Sequence, residues 1–201
     1  MYCILISGIP ASGKSTMARM LGKELGLPVI SKDDIKEKLF DDVGFRSREE
    51  KVNLGTAAMN IMYYTAEQLM QAGLPFILEN NFEYASREKL LELLEKYGCR
   101  VLTVTLTGDY ETIYHRYLKR NVSPDRHRGH VVNDRYPEEV PRSTDELAAL
   151  AVSYESFLYG IEKRGFDSFA VGEQIRVDMT DLSSVDTEAL LEKIRDRKSV
   201  V

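Results

Sequence analysis

The sequence predicts an α/β fold in which helices cover both faces of a five-stranded parallel β-sheet. Short apolar runs alternate with segments of helical periodicity, which is the pattern of the strand–helix–strand units that build parallel sheets. The 201 residues are enough for one well-buried core, and a content of 43% hydrophobic and 29% charged residues is typical of a globular protein. Because no linker, repeat or low-complexity segment interrupts the pattern, we expect residues 1–201 to form a single domain.

Five apolar runs are predicted to be strands because each is short and is bounded by turn-forming or polar residues. They are Tyr2–Ser7, Pro28–Ser31, Pro75–Glu79, Arg100–Leu106 and Gln174–Met179. Apolar residues recur with helical spacing between these runs and after the last one. The predicted helices are Lys14–Leu25, Asp34–Phe40, Arg48–Gln71, Ser86–Lys96, Tyr110–Arg120, Thr144–Lys163 and Asp186–Arg197.

A phosphate-binding motif lies between the first predicted strand and the first predicted helix. Residues 8–16 read Gly-Ile-Pro-Ala-Ser-Gly-Lys-Ser-Thr, which matches the pattern G-x-x-x-x-G-K-[ST] in the strand–loop–helix context that it requires. Backbone N–H groups of such a loop and the N-terminus of the following helix form a concavity for phosphate oxygens. We expect Lys14 to contact the β- and γ-phosphates and the Ser15 hydroxyl to bind magnesium.

The motif therefore predicts a site for a nucleoside triphosphate with magnesium, with adenine or guanine as the base. The nucleotide-binding residues that it predicts are Gly8, Ala11, Ser12, Gly13, Lys14, Ser15 and Thr16.

Two carboxylates follow the second predicted strand. Asp33 and Asp34 lie where the carboxyl ends of parallel strands bring ligands together. A hydroxyl that accepts a phosphoryl group needs a carboxylate within hydrogen-bonding reach to orient it and take its proton. We predict that Asp33 is this base; the alternative is that both acids only start the next helix. Lys36, one helical turn after Asp33, either contacts an anionic acceptor or belongs to a solvated helix face.

The third predicted strand ends in an acid followed by two amides. Because Glu79 and Asn80 follow the strand centre, one of them is expected to point into the cleft. Glu79 is a candidate to hold a magnesium-bound water or to orient the acceptor or Lys36; the alternative is a hydrogen-bonded strand end. Asn81 is expected to line the acceptor pocket.

Basic residues are concentrated at the end of the fifth predicted helix and in the polar segment after it. Arg116 and Arg120 are four residues apart and therefore share one helix face. Arg120 and Arg128 are predicted to bind the triphosphate and stabilise charge on the transferred group, whereas Arg116 and Arg126 fit a solvated basic face equally well. The segment 121–143 is either a mobile loop over the site or an exposed connection.

The composition argues against several other classes of protein. A net charge of −5 does not favour a nucleic-acid partner. No apolar run approaches the roughly 18 residues that span a bilayer, and the first strand starts so early that no signal peptide is expected. Cys3 and Cys99 lie in apolar runs and are expected to be buried free thiols, as in a reducing cytoplasm.

Four segments together carry a resemblance to a known family. They are residues 8–16, Lys32-Asp33-Asp34, Leu78-Glu79-Asn80-Asn81-Phe82 and residues 120–129. These segments resemble the P-loop kinases of the AAA-domain predicted-kinase group, whose relatives include the kinase domain of phage polynucleotide kinase, chloramphenicol phosphotransferase and zeta toxins. The resemblance implies a three-layer P-loop NTPase sandwich with a five-stranded parallel sheet, a mobile lid at about residues 115–165, and ATP and Mg²⁺ as cofactors.

The resemblance also implies roles for particular residues. Asp33 matches the general base of polynucleotide kinase, and Arg128 matches a lid arginine that precedes a glycine. Lys36 stands where that family has an arginine for the acceptor phosphate, which weakens the case for a nucleic-acid end as acceptor. The adenine base is expected beside residues 178–182.

The sequence therefore predicts a cytoplasmic ATP- and Mg-dependent kinase that phosphorylates a hydroxyl of a small molecule. Two alternatives are a nucleic-acid 5′-end kinase and a nucleotide-dependent switch or adaptor ATPase whose partner surface lies in residues 121–165. The predicted catalytic residues are Lys14, Asp33, Arg120 and Arg128. Arg120 is also predicted to bind the nucleotide, and the predicted acceptor-binding residues are Asp33, Lys36, Glu79 and Asn81.

Overall fold

The structure is a computed structural model that describes residues 1–199 of the chain, and its sheet has five strands. The strands are β1 (Tyr2–Gly8), β2 (Val29–Ser31), β3 (Phe76–Glu79), β4 (Arg100–Thr107) and β5 (Glu173–Asp178). Their order is β2-β3-β1-β4-β5, and each neighbouring pair is parallel. The predicted five-stranded parallel sheet is therefore confirmed.

The helices connect successive strands or follow the last one. They are α1 (Lys14–Leu25), α2 (Lys32–Val43), α3 (Arg48–Gln71), α4 (Tyr84–Lys96), α5 (Tyr110–Asn121), α6 (Arg128–Val131), α7 (Thr144–Ala148), α8 (Tyr154–Arg164) and α9 (Thr187–Ser199). A short 3₁₀ turn, Leu182–Ser184, precedes α9. Among the described residues, none of these helices combines the length and the apolar composition that crossing a bilayer requires.

Two helix predictions were wrong in their extent. The predicted helix Thr144–Lys163 is two helices, α7 and α8, because the Ser153 side chain accepts a hydrogen bond from the backbone N–H of Ser156 and starts a new helix. The helix predicted from Asp34 begins at Lys32, since Ser31 caps it by accepting from the N–H of Asp34. The single turn α6 was not predicted, because four residues carry no helical periodicity.

Helices cover both faces of the sheet, as the continuous apolar run of β1 requires. Cys3 and Leu5 point to the face on which α3 and α4 pack, whereas Ile4 and Ile6 point to the face of α1 and α9. Every one of these four side chains is fully buried. Cys3 is a free thiol, as is the buried Cys99, in agreement with the prediction for both cysteines.

The strand order places the phosphate motif at the middle of the sheet. Strand β1 lies between β3 and β4, so the loop that leaves its carboxyl end is flanked by the loops after its neighbours. Asp33 and Glu79 leave the ends of β2 and β3 at the same edge. Ligands of open α/β sheets bind at this edge, where the direction of strand addition changes.

Candidate active site

The loop between β1 and α1 has the geometry of a phosphate cradle. Ala11 and Gly13 both have positive φ angles, 66° and 96°, which turn successive N–H groups towards one concavity. Gly13 starts α1 without a side-chain cap, so the first amides of the helix have no capping acceptor there. The Lys14 ammonium donates to the carbonyl oxygen of Ile9, 2.7 Å away, and thereby spans the loop.

A cleft of about 580 Å³ lies above this loop. Its walls come from the first turn of α1, the first turns of α2, the end of β3, the end of α5 and the segment that leads to α6. The volume is within the range of sites for small ligands. The sequence-predicted residues that line it are Ala11, Gly13, Lys14, Ser15, Thr16, Asp33, Lys36, Glu79, Asn81 and Arg120.

Gly8 and Ser12 were predicted to bind nucleotide, and the structure gives them other surroundings. Gly8 ends β1 against β4, where an added Cβ would lie 2.1 Å from the carbonyl oxygen of Leu106. Its missing side chain therefore permits close strand packing. Ser12 is fully buried, and its hydroxyl has no hydrogen-bond partner within residues 1–199. Neither residue is among the described residues that line the cleft, and contact of their backbone with the nucleotide stays a prediction.

Asp33 and Asp34 differ in their surroundings although they are adjacent. Asp34 is exposed and forms an ion pair with Arg19 at 3.2 Å. Asp33 is half-buried in the cleft. Burial raises the pKa of Asp33, but the positive charges of His130 and Arg126 together with nearby lysines outweigh this effect, so the net pKa lies below its ordinary value. Asp33 is therefore an ionised proton acceptor at neutral pH.

Glu79 is part of a buried polar group behind the phosphate loop. The Ser31 hydroxyl donates to Glu79 Oε2 at 2.6 Å, and only 3% of Glu79 is exposed. Burial raises the pKa of Glu79, while Lys14 and the Ser31 hydroxyl act in the opposite direction. Burial also lowers the pKa of Lys14 to about 8, against the attraction of Glu79. The ammonium of Lys14 is held at the cleft by its hydrogen bond to Ile9, with the charge of Glu79 nearby.

Two arginines line the cleft on the side formed by the end of α5 and the segment after it. Arg120 lies at the end of α5, and Arg126 lies in the segment between α5 and α6. The Nε atoms of both are buried and have no hydrogen-bond partner within residues 1–199. Burial lowers the pKa of Arg120 to about 10, so its guanidinium stays charged at neutral pH. An anion in the cleft would supply the missing acceptors.

The other two arginines of this region have different positions. Arg128 is the first residue of α6 and is not among the described residues that line the cleft. Arg116 donates to the carbonyl oxygens of Met179 and Thr180 and so holds the loop after β5 against α5. Arg126 lines the cleft although the sequence did not favour it, and the catalytic role of Arg128, whose Nη1 atom is also buried without a hydrogen-bond partner within residues 1–199, stays a prediction.

A second group of residues that the sequence did not single out holds the segment 127–133 onto α2 and α3. His130 lines the cleft, and its Nε2 atom lies 2.9 Å from Glu37 Oε1 on α2. The buried ammonium of Lys51 donates to the carbonyl oxygens of His130 and Val132 and to the side-chain oxygen of Asn133. No spacing rule links residues 51 and 130, so only the folded chain reveals this contact.

Comparison with known proteins identifies the family. The sequence profile described as AAA domain matches residues 3–139, which is more than half of the chain. The chain belongs to the AAA domain family. The part of this AAA domain that the profile matches contains the phosphate loop, Asp33, Glu79 and both cleft arginines.

Solved structures share the P-loop kinase-like fold of this AAA domain over nearly its whole length. A protein of Chloroflexus aurantiacus J-10-FL, provisionally named a kinase, is similar with a TM-score of 0.73 and 24% identity, covering 99% of this chain and 96% of its own. A gluconokinase from Sinorhizobium meliloti 1021 has a TM-score of 0.54 and 15% identity, with coverage of 99% and 96%.

One curated relative matches over a short region. A cytidylate kinase from Ignicoccus hospitalis is 46% identical over 44 residues, which is 22% of this chain. The match spans 26% of the length of that relative.

Proposed function

We propose that this AAA domain is an ATP- and Mg-dependent kinase that transfers the γ-phosphoryl group to a hydroxyl of a small molecule. The observation that carries the proposal is the cleft itself, in which the ionised carboxylate of Asp33 faces the phosphate cradle and two arginines without acceptors. Phosphoryl transfer requires this combination of a base, a polyphosphate site and cations for the transferred group. Kinases of small molecules among the similar proteins support the same reading.

Each residue has a role that its position supports. The N–H groups of the loop and the Lys14 ammonium bind the β- and γ-phosphates. The acceptor hydroxyl donates its hydrogen bond to Asp33, and its oxygen attacks the γ-phosphorus. A bond forms between the acceptor oxygen and phosphorus, the bond from phosphorus to the ADP oxygen breaks, and Asp33 takes the proton. Arg120 and Arg126 stabilise charge on the group in transit.

Oxygen donors suited to magnesium lie beside the phosphate loop. The Ser15 hydroxyl lines the cleft at the first turn of α1, and the carboxylate of Glu79 is buried next to Lys14. Hydroxyl, carboxylate and phosphate oxygens are the ligands that Mg²⁺ prefers. Ser15 would therefore hold the ion directly, with Glu79 holding one of its waters. The ion would neutralise charge on the β- and γ-phosphate oxygens.

The decisive experiment compares two adjacent acids. We expect Asp33→Asn to keep binding of Mg·ATP while lowering phosphate transfer by about 100-fold or more, because the proton acceptor is lost. Asp34→Asn removes the same charge one residue away, from an exposed acid at the cleft that is paired with Arg19, and should keep far more phosphate transfer than Asp33→Asn. The assay uses γ-labelled ATP with fractionated cell metabolites, and calorimetry measures nucleotide binding.

Three outcomes would contradict the proposal. Equal transfer by Asp33→Asn and the parent would remove Asp33 from the mechanism. A labelled oligonucleotide end would identify a nucleic-acid kinase. ATP hydrolysis with no labelled acceptor in any metabolite fraction would point to a switch ATPase.

A further inference from the structure

Lys51, near the start of α3, binds the end of α6. Only 5% of this residue is exposed, and its ammonium donates to the carbonyl oxygens of His130 and Val132 at 2.9 Å and 2.6 Å. Its third hydrogen bond goes to the side-chain oxygen of Asn133 at 3.0 Å, which also accepts from Arg48. All three acceptors are neutral oxygens. Lysine is rarely buried without an acidic partner, so these bonds are what compensates the buried charge.

The protein keeps this ammonium in the contact at a cost in free energy. Burial, together with the like charges of Lys36 and Arg48, lowers the pKa of Lys51 to about 7. The last carbonyl groups of a helix have no partner within that helix, and a buried carbonyl without a donor is unfavourable. Lys51 supplies donors to two such groups of α6 at once, and in this way it attaches α6 to α3.

The turn that is attached in this way begins directly after a residue of the cleft. Arg126 lines the cleft and precedes His127, whose Nδ1 atom accepts from the backbone N–H of Gly129. The N–H of Val132 donates to the carbonyl oxygen of Arg128 at 3.0 Å. Because these bonds make α6 one tight turn, an anchor at its end restricts the position of the arginine at its start.

The contacts of α6 with α3 complement those with α2. On α2, Asp41 lies 2.9 Å from Nε2 of His127, and Glu37 lies 2.9 Å from Nε2 of His130. These imidazoles attach side chains of the segment, whereas the Lys51 ammonium binds its backbone. The wall of the cleft that this segment forms therefore depends on both helices.

We propose that Lys51 is a positioning residue, which holds α6 on α3 and thereby keeps the guanidinium of Arg126 in the cleft for phosphoryl transfer. This rests on the proposed kinase function for the role of Arg126. Lys51 is not among the described residues that line the cleft, so it acts through the arginine. A lysine that only stabilised the fold would change the melting temperature and leave kcat of the folded protein unchanged.

A double-mutant cycle tests this coupling. Lys51→Met keeps an apolar stem and removes the three donors; it should lower kcat by about tenfold and change KM for Mg·ATP by less than about twofold. In an Arg126→Gln background the same substitution should lower kcat by less than about twofold, because the arginine that it positions is already absent. The reaction uses γ-labelled ATP and the acceptor that the labelling identifies.

A matched lysine provides the control for this cycle. Lys89, on α4, is exposed and donates to the side-chain oxygen of Asn60 on α3 at 2.9 Å, away from the cleft. Lys89→Met should therefore have the kcat of the parent. Asn133→Ala is a milder second variant, since it removes one acceptor of Lys51 from an exposed position. It should lower kcat by about two- to threefold, and only while Arg126 is present.

Hydrogen exchange of the segment 126–133 measures the docking without any acceptor. Circular dichroism first establishes that each variant is folded at the temperature used. The amides of this segment should then exchange faster in Lys51→Met than in the parent, because the segment opens more often once its anchor is lost. Exchange in Lys89→Met should equal that of the parent.

The two proposals fail in different ways. Unchanged exchange in Lys51→Met, or the same fold-loss of kcat with and without Arg126, would overturn the positioning role and leave the kinase proposal intact. Absence of phosphate transfer by the parent to any acceptor would reject the kinase. Faster exchange of the segment 126–133 in Lys51→Met would in that case still support Lys51 as the anchor of this wall of the cleft.

Discussion

The two aspartates after β2 are adjacent, yet a difference of one position in the helix turn gives them different surroundings. Both aspartates line the cleft, but Asp33 is half-buried, whereas Asp34 is exposed and forms an ion pair with Arg19. The sequence predicted that a carboxylate would meet the phosphate loop here, because strands of a parallel sheet end at one edge. Which acid is the more buried follows from where α2 begins, and Ser31 caps the helix at that point.

Arg126 and Arg128 offer a test at the scale of single residues. Arg126→Gln should lower phosphate transfer by about 100-fold, because its guanidinium lies in the cleft without a protein acceptor and stabilises charge on the transferred group. Arg128→Gln should change transfer only slightly, since Arg128 does not line the cleft. Steady-state kinetics of both variants and circular dichroism of each give the comparison. A large loss for Arg128→Gln alone would contradict this expectation and support the sequence-based prediction that Arg128 is catalytic.

At the scale of elements, the sequence predicted the regular core better than the region between α5 and β5. The strands are short runs rich in apolar residues, and the helices that pack on the sheet follow an apolar periodicity of 3.6, which a reader of the sequence sees directly. The predicted helix Thr144–Lys163 failed because the apolar residues of 149–152 continue the pattern while the chain leaves the helix there. The caps, Ser143 and Ser153, were the better signal in this region.

The segment before and within α6 depends on contacts between elements. Gly129 lies directly over the buried ring of Phe40, and the ring nitrogen Nε2 of His127 reaches Asp41 at 2.9 Å. These contacts join α6 to α2, 90 residues earlier in the chain, and no local pattern predicts them. Because Arg126 precedes this anchored segment, its position in the cleft follows from how α6 is docked.

Alanine substitution of two helical glycines distinguishes a packing requirement from an effect of helix propensity. Gly129→Ala should destabilise the protein by about 1–3 kcal/mol, because the new Cβ would come within 2.3 Å of the Phe40 ring. Gly160→Ala in α8 should stabilise it by roughly 0.5–1 kcal/mol, since nothing lies within 4 Å of the added Cβ and alanine favours the helix. Urea unfolding followed by circular dichroism measures both. Stabilisation by Gly129→Ala would contradict the docking of α6 on Phe40.

At the scale of the whole molecule, charge is distributed unevenly. The chain has a net charge of −5, yet its cleft contains lysines and arginines that burial and mutual repulsion make costly to keep charged. The net charge of the chain gives no information about the charge of the cleft, because a local field depends on which residues the fold brings together. The strand order, which puts β1 at the centre of the sheet, brings the phosphate loop together with the residues after β2 and at the end of β3.

Because burial in the cleft lowers the pKa of Lys14, nucleotide binding should be coupled to proton uptake by this side chain. The pKa of Lys14 is lowered to about 8, so the ammonium is roughly half protonated at pH 8 in the free protein. Bound phosphates favour its charged form and raise the pKa towards the ordinary value of about 10.4. Binding of Mg·ATP at pH 8 should therefore take up about half a proton, and binding at pH 6.5 should take up almost none.

Calorimetry in buffers of different ionisation enthalpy measures this uptake. In Lys14→Met the titrating group is absent, so the uptake at pH 8 should fall close to zero even where weak binding persists. Replacement of the exposed Lys38 by Met leaves the phosphate cradle intact and should leave the uptake unchanged. Proton release in the parent, or equal uptake by the parent and Lys14→Met, would show that the buried ammonium does not meet the phosphates. In that case the cleft would bind its ligand in a way that the phosphate loop does not explain.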